Sequence, residues 1–393
     1  MKGPITESIV KLTQDLVRIP SRAGVDSYTS ILERISQWLN QSGVASEGLA
    51  NEQGQPVGIC GHVAGRHPGP TYLLNATVDT AGFGDESRWT RPPISAAVID
   101  GWLHGRGSAD SKSGVAIFCH VLAAFTAYAE RMHGTLGFLF DADEHSGAFA
   151  GVKRYVELRV KRAPIAGVMI GYPGFERVVA GSRGYFRAVL RVHGEAAHSG
   201  ATHSLGVNAI ERGAQLVTAL SAIELDAPVS AEFPVGPKVT VTAFAGGQGF
   251  SMVPDLCTLL VDVRLTPSFD AAQAEAVLAR VTRDNDRRFA AQRPTDIEVQ
   301  PGWPAYRLPP DSPMVKALQE AAERILGHRP PADVAGPSNA GNYLATLRIP
   351  ATSGFGVAYR NVHAADECIE LRTIEPVYQV YHLAAEILLR VSS

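Results

Sequence analysis

Four short segments of the 393-residue chain set carboxylates, histidines and glycines beside apolar runs. Asn75-Ala-Thr77-Val-Asp79 ends the first such run. Gly105-Arg-Gly-Ser-Ala-Asp110-Ser-Lys112-Ser-Gly114 is a glycine-rich turn that delivers a carboxylate at the entry to a helix, where Asp110 taken alone reads more readily as a helix cap. Asp141-Ala-Asp143-Glu144-His145-Ser-Gly147 crowds three carboxylates and an imidazole at the end of an apolar run, a costly arrangement without a cation or solvent. Asn361-Val-His363-Ala-Ala-Asp366-Glu367 offers a further histidine, which alone is more often a cap or a satisfied core residue. Together these side chains could hold a cation and move a proton.

The elements that must position them alternate in period. Ile9, Leu12, Leu16 and Val17, then Tyr28, Ile31, Leu32, Ile35 and Leu39, recur at helical spacing. Val57–Val63, Thr71–Leu74, Thr135–Phe140 and Ala166–Ile170 read as strands, with a helix over Gly114–Ala129. Such alternation predicts an α/β fold, a mixed sheet with helices on both faces, and polar groups at strand ends suit its site. The texture changes after Val179. Tyr185–Val192 reads as strand, 204–220 as helix, Lys238–Phe244 and Cys257–Leu265 as strands, and Ala271–Phe289 as helix. This β-α-β-β-α order predicts a small inserted α+β domain over 180–294, between catalytic parts 1–179 and 295–393. Helical and loop segments from Pro304, a strand Ala351–Phe355 and a helix Pro376–Val391 close the chain.

Composition narrows the partners. A net charge of -3 with 19% charged residues provides no basic face for nucleic acid and no polybasic membrane anchor. Cys60, Cys119, Cys257 and Cys368 are too scattered for a disulfide framework or a zinc knuckle, which fits a reducing cytoplasm. No signal-peptide core opens the chain, and no run is read as reaching the ~20 apolar residues of a membrane span. A soluble cytoplasmic protein acting on a small molecule is expected.

In order along the chain, these segments resemble the co-catalytic metallopeptidase family of aminoacylases, bacterial carboxypeptidase G, succinyl-diaminopimelate desuccinylase and peptidase T. The family pattern runs G-H-x-D, G-R-G-x-x-D-x-K, D-E-E, G-E-P or G-D-P, a-H-S near G-x-N-A, and a late histidine. Here it is matched by Thr77-Val-Asp79, Gly105 to Lys112, Asp143-Glu144-His145, Gly171-Tyr172-Pro173, Ala197-His198-Ser199 with Gly206-Val-Asn208-Ala209, and His363. The resemblance implies a zinc-peptidase-like catalytic domain with an inserted dimerisation domain, and two metal ions bridged at Asp110. Thr77 and Tyr172 stand where the first ion takes its private ligands, so that site is expected to be lost. Asp110, His145 and His363 are left to hold one divalent transition ion per subunit, Mn, Zn, Co or Fe.

By the same resemblance Glu144 is the general base. His198 is the histidine that crosses into a neighbouring subunit's site and steadies an oxyanion, which implies a homodimer or a higher homo-oligomer. Arg183, Arg264 and Arg360 are candidates for a substrate carboxylate, although Arg264 in Asp262-Val-Arg264 reads equally as a structural ion-pair partner. Ser251 replaces an asparagine that binds substrate in relatives, which argues against ordinary peptide recognition. Tyr172 is a candidate ring-facing substrate contact. Hydrolysis of a C–N bond in a small carboxylate is the expected activity. An aminohydrolase that replaces an aromatic amino group by hydroxyl, as a relative does with 5-nitroanthranilate, is placed narrowly ahead of amide hydrolysis of N-acyl amino acids or dipeptides. A non-catalytic small-molecule-binding relative is the third reading.

Overall fold

The computed structural model describes residues 3–160, 164–203 and 205–391. The chain folds into two compact units, Met1–Gly181 with Arg307–Ala335 and Asn339–Ser393, and Ser182–Tyr306 with Gly336–Ser338. The insertion was expected over 180–294. It runs on to 306 because Asp296–Trp303, to which the sequence reading assigned no element, is a strand paired antiparallel with Gly184–His193.

The first unit opens with α1 (Pro4–Val17) and α2 (Thr29–Gln41), whose apolar stripes are buried as their spacing predicts. Strands β1 (Glu47–Ala50), β2 (Pro56–Ala64) and β3 (His67–Thr77) follow, then the short β4 (Ala97–Ile99) and β5 (Trp102–His104), helix α3 (Ser113–Phe125), β6 (His133–Asp141), α4 (Ala150–Tyr155) and β7 (Gly167–Ile170). The sheet runs β1-β2-β6-β3-β7 and is mixed: β1, β2 and β6 pair antiparallel, whereas β3 is parallel to both β6 and β7. Leu136, Phe138 and Phe140 alternate along β6 into a core shared with α1, α2 and α3. α3 is buried on almost every side. The run Ser108–Arg131 that contains it is long and apolar enough to cross a membrane by length and composition, contrary to the expectation above. It is apolar all round because it is the central core helix of this unit.

β8 (Val178–Ser182) leads out of this unit, and β15 (Tyr306–Arg307) leads back. The two are neighbours in one small sheet, and Leu308 N donates to Ala180 O at 2.8 Å. Between them the second unit forms a four-stranded antiparallel sheet of β11 (Lys238–Gly246), β13 (Leu256–Leu265), β9 (Gly184–His193) and β14 (Asp296–Trp303). Helices α5 (Ala209–Ser221) and α6 (Ala271–Arg288) pack on that sheet. The start read for α5, at residue 204, lies outside the described residues. Short β10 (Ala197–His198) pairs with β12 (Met252–Val253).

Back in the first unit, α7 (Pro313–Leu326), β16 (Ala332–Ala335), α8 (Ala340–Thr346), β17 (Tyr359–Arg360), β18 (Cys368–Glu370) and α9 (Ile374–Leu388) complete the chain. The strand expected at Ala351–Phe355 is present only as isolated bridges, Val168 to Ala351 and Val179 to Gly354. Gly354 lies at φ +139°, outside strand geometry, so the segment crosses between two sheets and continues neither.

Candidate metal centre

The site lies at the C-terminal ends of parallel strands in the first unit. β3 ends at Thr77 and leads into Asp79; β6 ends at Asp141 and leads into Glu144 and His145. Asp79, fully buried, links the two. Its Oδ1 accepts from Glu144 N at 3.1 Å, and its Oδ2 accepts from His145 N at 3.0 Å and lies 3.1 Å from His145 Nδ1. One carboxylate therefore orients the turn and fixes which imidazole nitrogen faces onward.

The onward nitrogen, His145 Nε2, lies 3.5 Å from Asp110 Oδ2, and His363 Nε2 approaches the same oxygen at 2.9 Å. Asp110 follows a left-handed Gly107 and has φ/ψ of -118° and 91°; the N-cap of the helix that starts at Ser113 is Lys112, and Asp110 Oδ2 faces the two imidazoles instead, so Asp110 does not cap that helix. Its Oδ1 is buried without a hydrogen-bond partner. His363 occupies a loop in which Asn361, His363 and Asp366 all have positive φ, a strained run of the kind found at functional sites. Among the described residues, Asp110, His145 and His363 form the group whose ligand atoms could hold a metal ion, all within 4.8 Å of one another.

The electrostatics favour a positive charge at this point. Burial works to raise the Asp110 carboxyl, but hydrogen bonds with His145 and His363 hold it well below the usual range. Burial pulls the His145 imidazole down; Asp110 and Asp79 outweigh it and lift its pKa to about 11. Glu144 is pushed well above the ordinary value by burial first and by the charge of Asp110 second. Two imidazoles converging on one carboxylate oxygen, beside an orphaned second oxygen, fit a divalent cation as well as a proton.

The departures from the family pattern are absorbed locally. Thr77, buried, donates from Oγ1 to Asp79 Oδ1 at 2.5 Å. The Tyr172 hydroxyl donates to Glu144 Oε2. Both hydroxyls are thus committed to neighbouring carboxylates. Arg360 also belongs to this unit; its guanidinium lies 4.1 Å over the Trp102 ring.

The remaining predicted residues belong to the second unit. His198 is exposed, and its Nδ1 accepts from Gly200 N at 3.0 Å. Exposed Ser251 accepts from Ser199 N at 3.0 Å through its carbonyl, so β10 and β12 bring the two positions together. Arg264 Nε pairs with Asp262 Oδ1 at 2.7 Å, the structural ion pair that was its alternative reading. Arg183 donates to the carbonyls of Gly336 at 2.9 Å and Gly236 at 3.0 Å.

Three groups escaped the sequence reading of the site. Asp79 was seen only as the end of a motif. Arg106 and Glu367 form a buried ion pair at 2.6 Å, and Lys112, buried and drawn down to about 7 by burial, donates to Ile19 O at 2.8 Å. Arg106, Lys112 and Glu367 all lie inside the quoted segments, but only their depth sets them apart from surface charges.

The sequence profile of peptidase family M20/M25/M40 matches residues 73–387. The chain belongs to this family. It is 28% identical over 377 residues to a succinyl-diaminopimelate desuccinylase of Xanthobacter autotrophicus, covering 94% of this chain and 96% of the relative. The fold is similar to that of a tripeptidase from Staphylococcus aureus, with TM-score 0.78 at 18% identity over 98% of this chain and 99% of the other. It is also similar to a dinuclear metal-binding peptidase of the same family from Bacillus subtilis, with TM-score 0.68 at 17% identity over 99% of each chain. As a member of peptidase family M20/M25/M40, the chain is a metal-dependent hydrolase of C–N bonds.

Proposed function

We propose that this family member hydrolyses a C–N bond of a small carboxylate-bearing substrate at a mononuclear centre, with Asp110, His145 and His363 as ligands to one Mn, Zn, Co or Fe ion and Glu144 as general base. The observation that carries this reading is the convergence of those three donors while the hydroxyls of Thr77 and Tyr172 are spent on Asp79 and Glu144. A divalent ion held there would activate water and polarise the electrophile. Glu144 takes a proton from the attacking water as the oxygen–carbon bond forms, then delivers it to the departing nitrogen as the C–N bond breaks. The burial that raises Glu144 makes it a stronger base once ionised. Asp79 holds Glu144 and His145 in place through their backbone N–H groups.

Replacement of an aromatic amino group by hydroxyl, with release of ammonia, is the first reading, because a single ion has less with which to polarise a carbonyl. Amide hydrolysis is the second, favoured by the likeness to a desuccinylase along nearly the whole chain. Ammonia released from 2-aminobenzoates, with N-succinyl and N-acyl amino acids left intact, supports the first; the converse result replaces it with the second. A stoichiometry of two ions per chain after dialysis would sink the mononuclear centre. A protein that takes up no transition ion even with these substrates present would be a binding module.

The roles of His198, Ser251, Arg183, Arg264 and Arg360 in binding substrate are part of the same proposal and rest on family resemblance. So does the dimer. The four cysteines, buried and free, support a reducing, cytoplasmic setting.

A further inference from the structure

We infer that Glu367 is a positioning residue that locks the Asp110 turn to the His363 loop and thereby sets the affinity of the ion site. Its side chain is 1% exposed and that of Arg106 2%. Glu367 Oε2 meets Arg106 Nη1 at 2.6 Å, while Oε1 accepts from Ala109 N at 3.0 Å and Asp110 N at 3.3 Å. Its own carbonyl accepts from Gly105 N at 2.9 Å. A single residue, four positions after His363, thus binds both ends of the turn that presents Asp110.

Neither ligand segment has a regular ladder to hold it. Asp110 is non-helical within its turn, and His363 lies among residues of positive φ. The neighbouring Asp366 adds a second tie, its Oδ1 accepting from Thr90 N at 2.9 Å and Thr90 Oγ1 at 3.0 Å. Arg106, whose guanidinium lies 5.1 Å over the Trp89 ring, compensates the buried charge of Glu367. A packed apolar pair would fill the same volume without desolvating two charges. What it could not do is accept the N–H groups of Ala109 and Asp110.

Glu367 acts through Asp110 and His363 and so depends on the proposed reading of those residues as ligands. The test uses metal-free full-length protein reloaded with Co2+, following affinity and the ligand-field absorption spectrum, with urea denaturation of the metal-free form alongside. Arg106→Met with Glu367→Leu removes both charges and the acceptor; Arg106→Met with Glu367→Gln removes the charges and keeps a carbonyl acceptor. The Met/Leu pair should lose at least about tenfold in Co2+ affinity with an altered spectrum, while the Met/Gln pair stays within about threefold of the wild type. Equal affinity and spectra in the two pairs overturn the clamp. If the Met/Leu pair does not fold, Glu367→Asp replaces it: the shorter carboxylate keeps the charge but cannot reach both partners, and wild-type affinity there overturns the clamp. Asp110→Asn and His363→Ala in the same assay isolate the ligand reading. Wild-type affinity in both refutes the ligands and the clamp together, whereas loss in both beside undiminished affinity in the Met/Leu pair refutes the clamp alone.

Discussion

Glu144 and Asp141 are separated by two residues and have opposite duties. Glu144 reaches the ligand cluster, and Glu144→Gln should keep the bound ion while turnover falls by about 10²- to 10⁴-fold, read by metal analysis beside steady-state kinetics. Full activity in that variant would remove Glu144 from the base role. Asp141 points into the core, where burial, opposed by the hydrogen bond from Asn75 and aided by the charge of Asp79, lifts its pKa to about 8. A carboxyl raised above its unfolded value favours the folded state in its protonated form. Its contribution is complete below about pH 4 and is lost as pH rises towards 8. Asp141→Asn, which imitates the protonated acid, should therefore flatten the stability profile of metal-free protein between those limits and raise the midpoint of urea denaturation at pH 8. An unchanged slope would place the titration elsewhere. The sequence made Asp110, Glu144, His145 and His363 legible because their types recur in a known order. It concealed Asp141 and Glu367, since nothing in a one-dimensional string separates a solvated carboxylate from one under the sheet.

Helix α3 and the residue that follows β7 meet at two glycines, Gly114 and Gly171, each a few residues or fewer from a side chain of the site. A Cβ at Gly114 would stand 2.3 Å from Gly171 O, a backbone atom with little room to retreat. Gly114→Ala should cost on the order of 1–3 kcal/mol in urea denaturation and weaken metal binding as well. A stable variant with undiminished metal binding would show that the two elements adjust freely. In the second unit, α6 opens with a capping box in which Asp270 accepts from Gln273 N at 2.9 Å and Gln273 Oε1 accepts from Asp270 N at 2.9 Å. Asp270→Ala should cost about 1 kcal/mol with no change in metal affinity. Strands with unbroken apolar or alternating character, such as β2, β6 and β13, were readable to within a few residues. β14 was not, because its Asp-Ile-Glu-Val-Gln-Pro-Gly-Trp run carries a proline and half-polar faces suited to an edge strand.

At the scale of the whole molecule, the proposed dimer makes a prediction that no single variant can. If His198 serves the neighbouring subunit, Glu144→Gln and His198→Ala proteins, each inactive, should recover about a quarter of wild-type activity when mixed and allowed to exchange subunits. No recovery despite proven exchange would return His198 to its own chain or to no catalytic part. The chain crosses from the first unit to the second through β8 and comes back through β15, and those strands are hydrogen-bonded neighbours. The two doorways of the insertion therefore stand side by side. A tether of a few residues from 181 to 307 would span a gap that is already closed, so the length of what lies between adds little loop entropy. Asp110, His145 and His363 all belong to the part that would remain. Such a shortened chain should still unfold cooperatively and still take up Co2+. The insertion is in this sense a cassette, one that could be exchanged or diverge in evolution without reopening the layer that carries the three ion ligands.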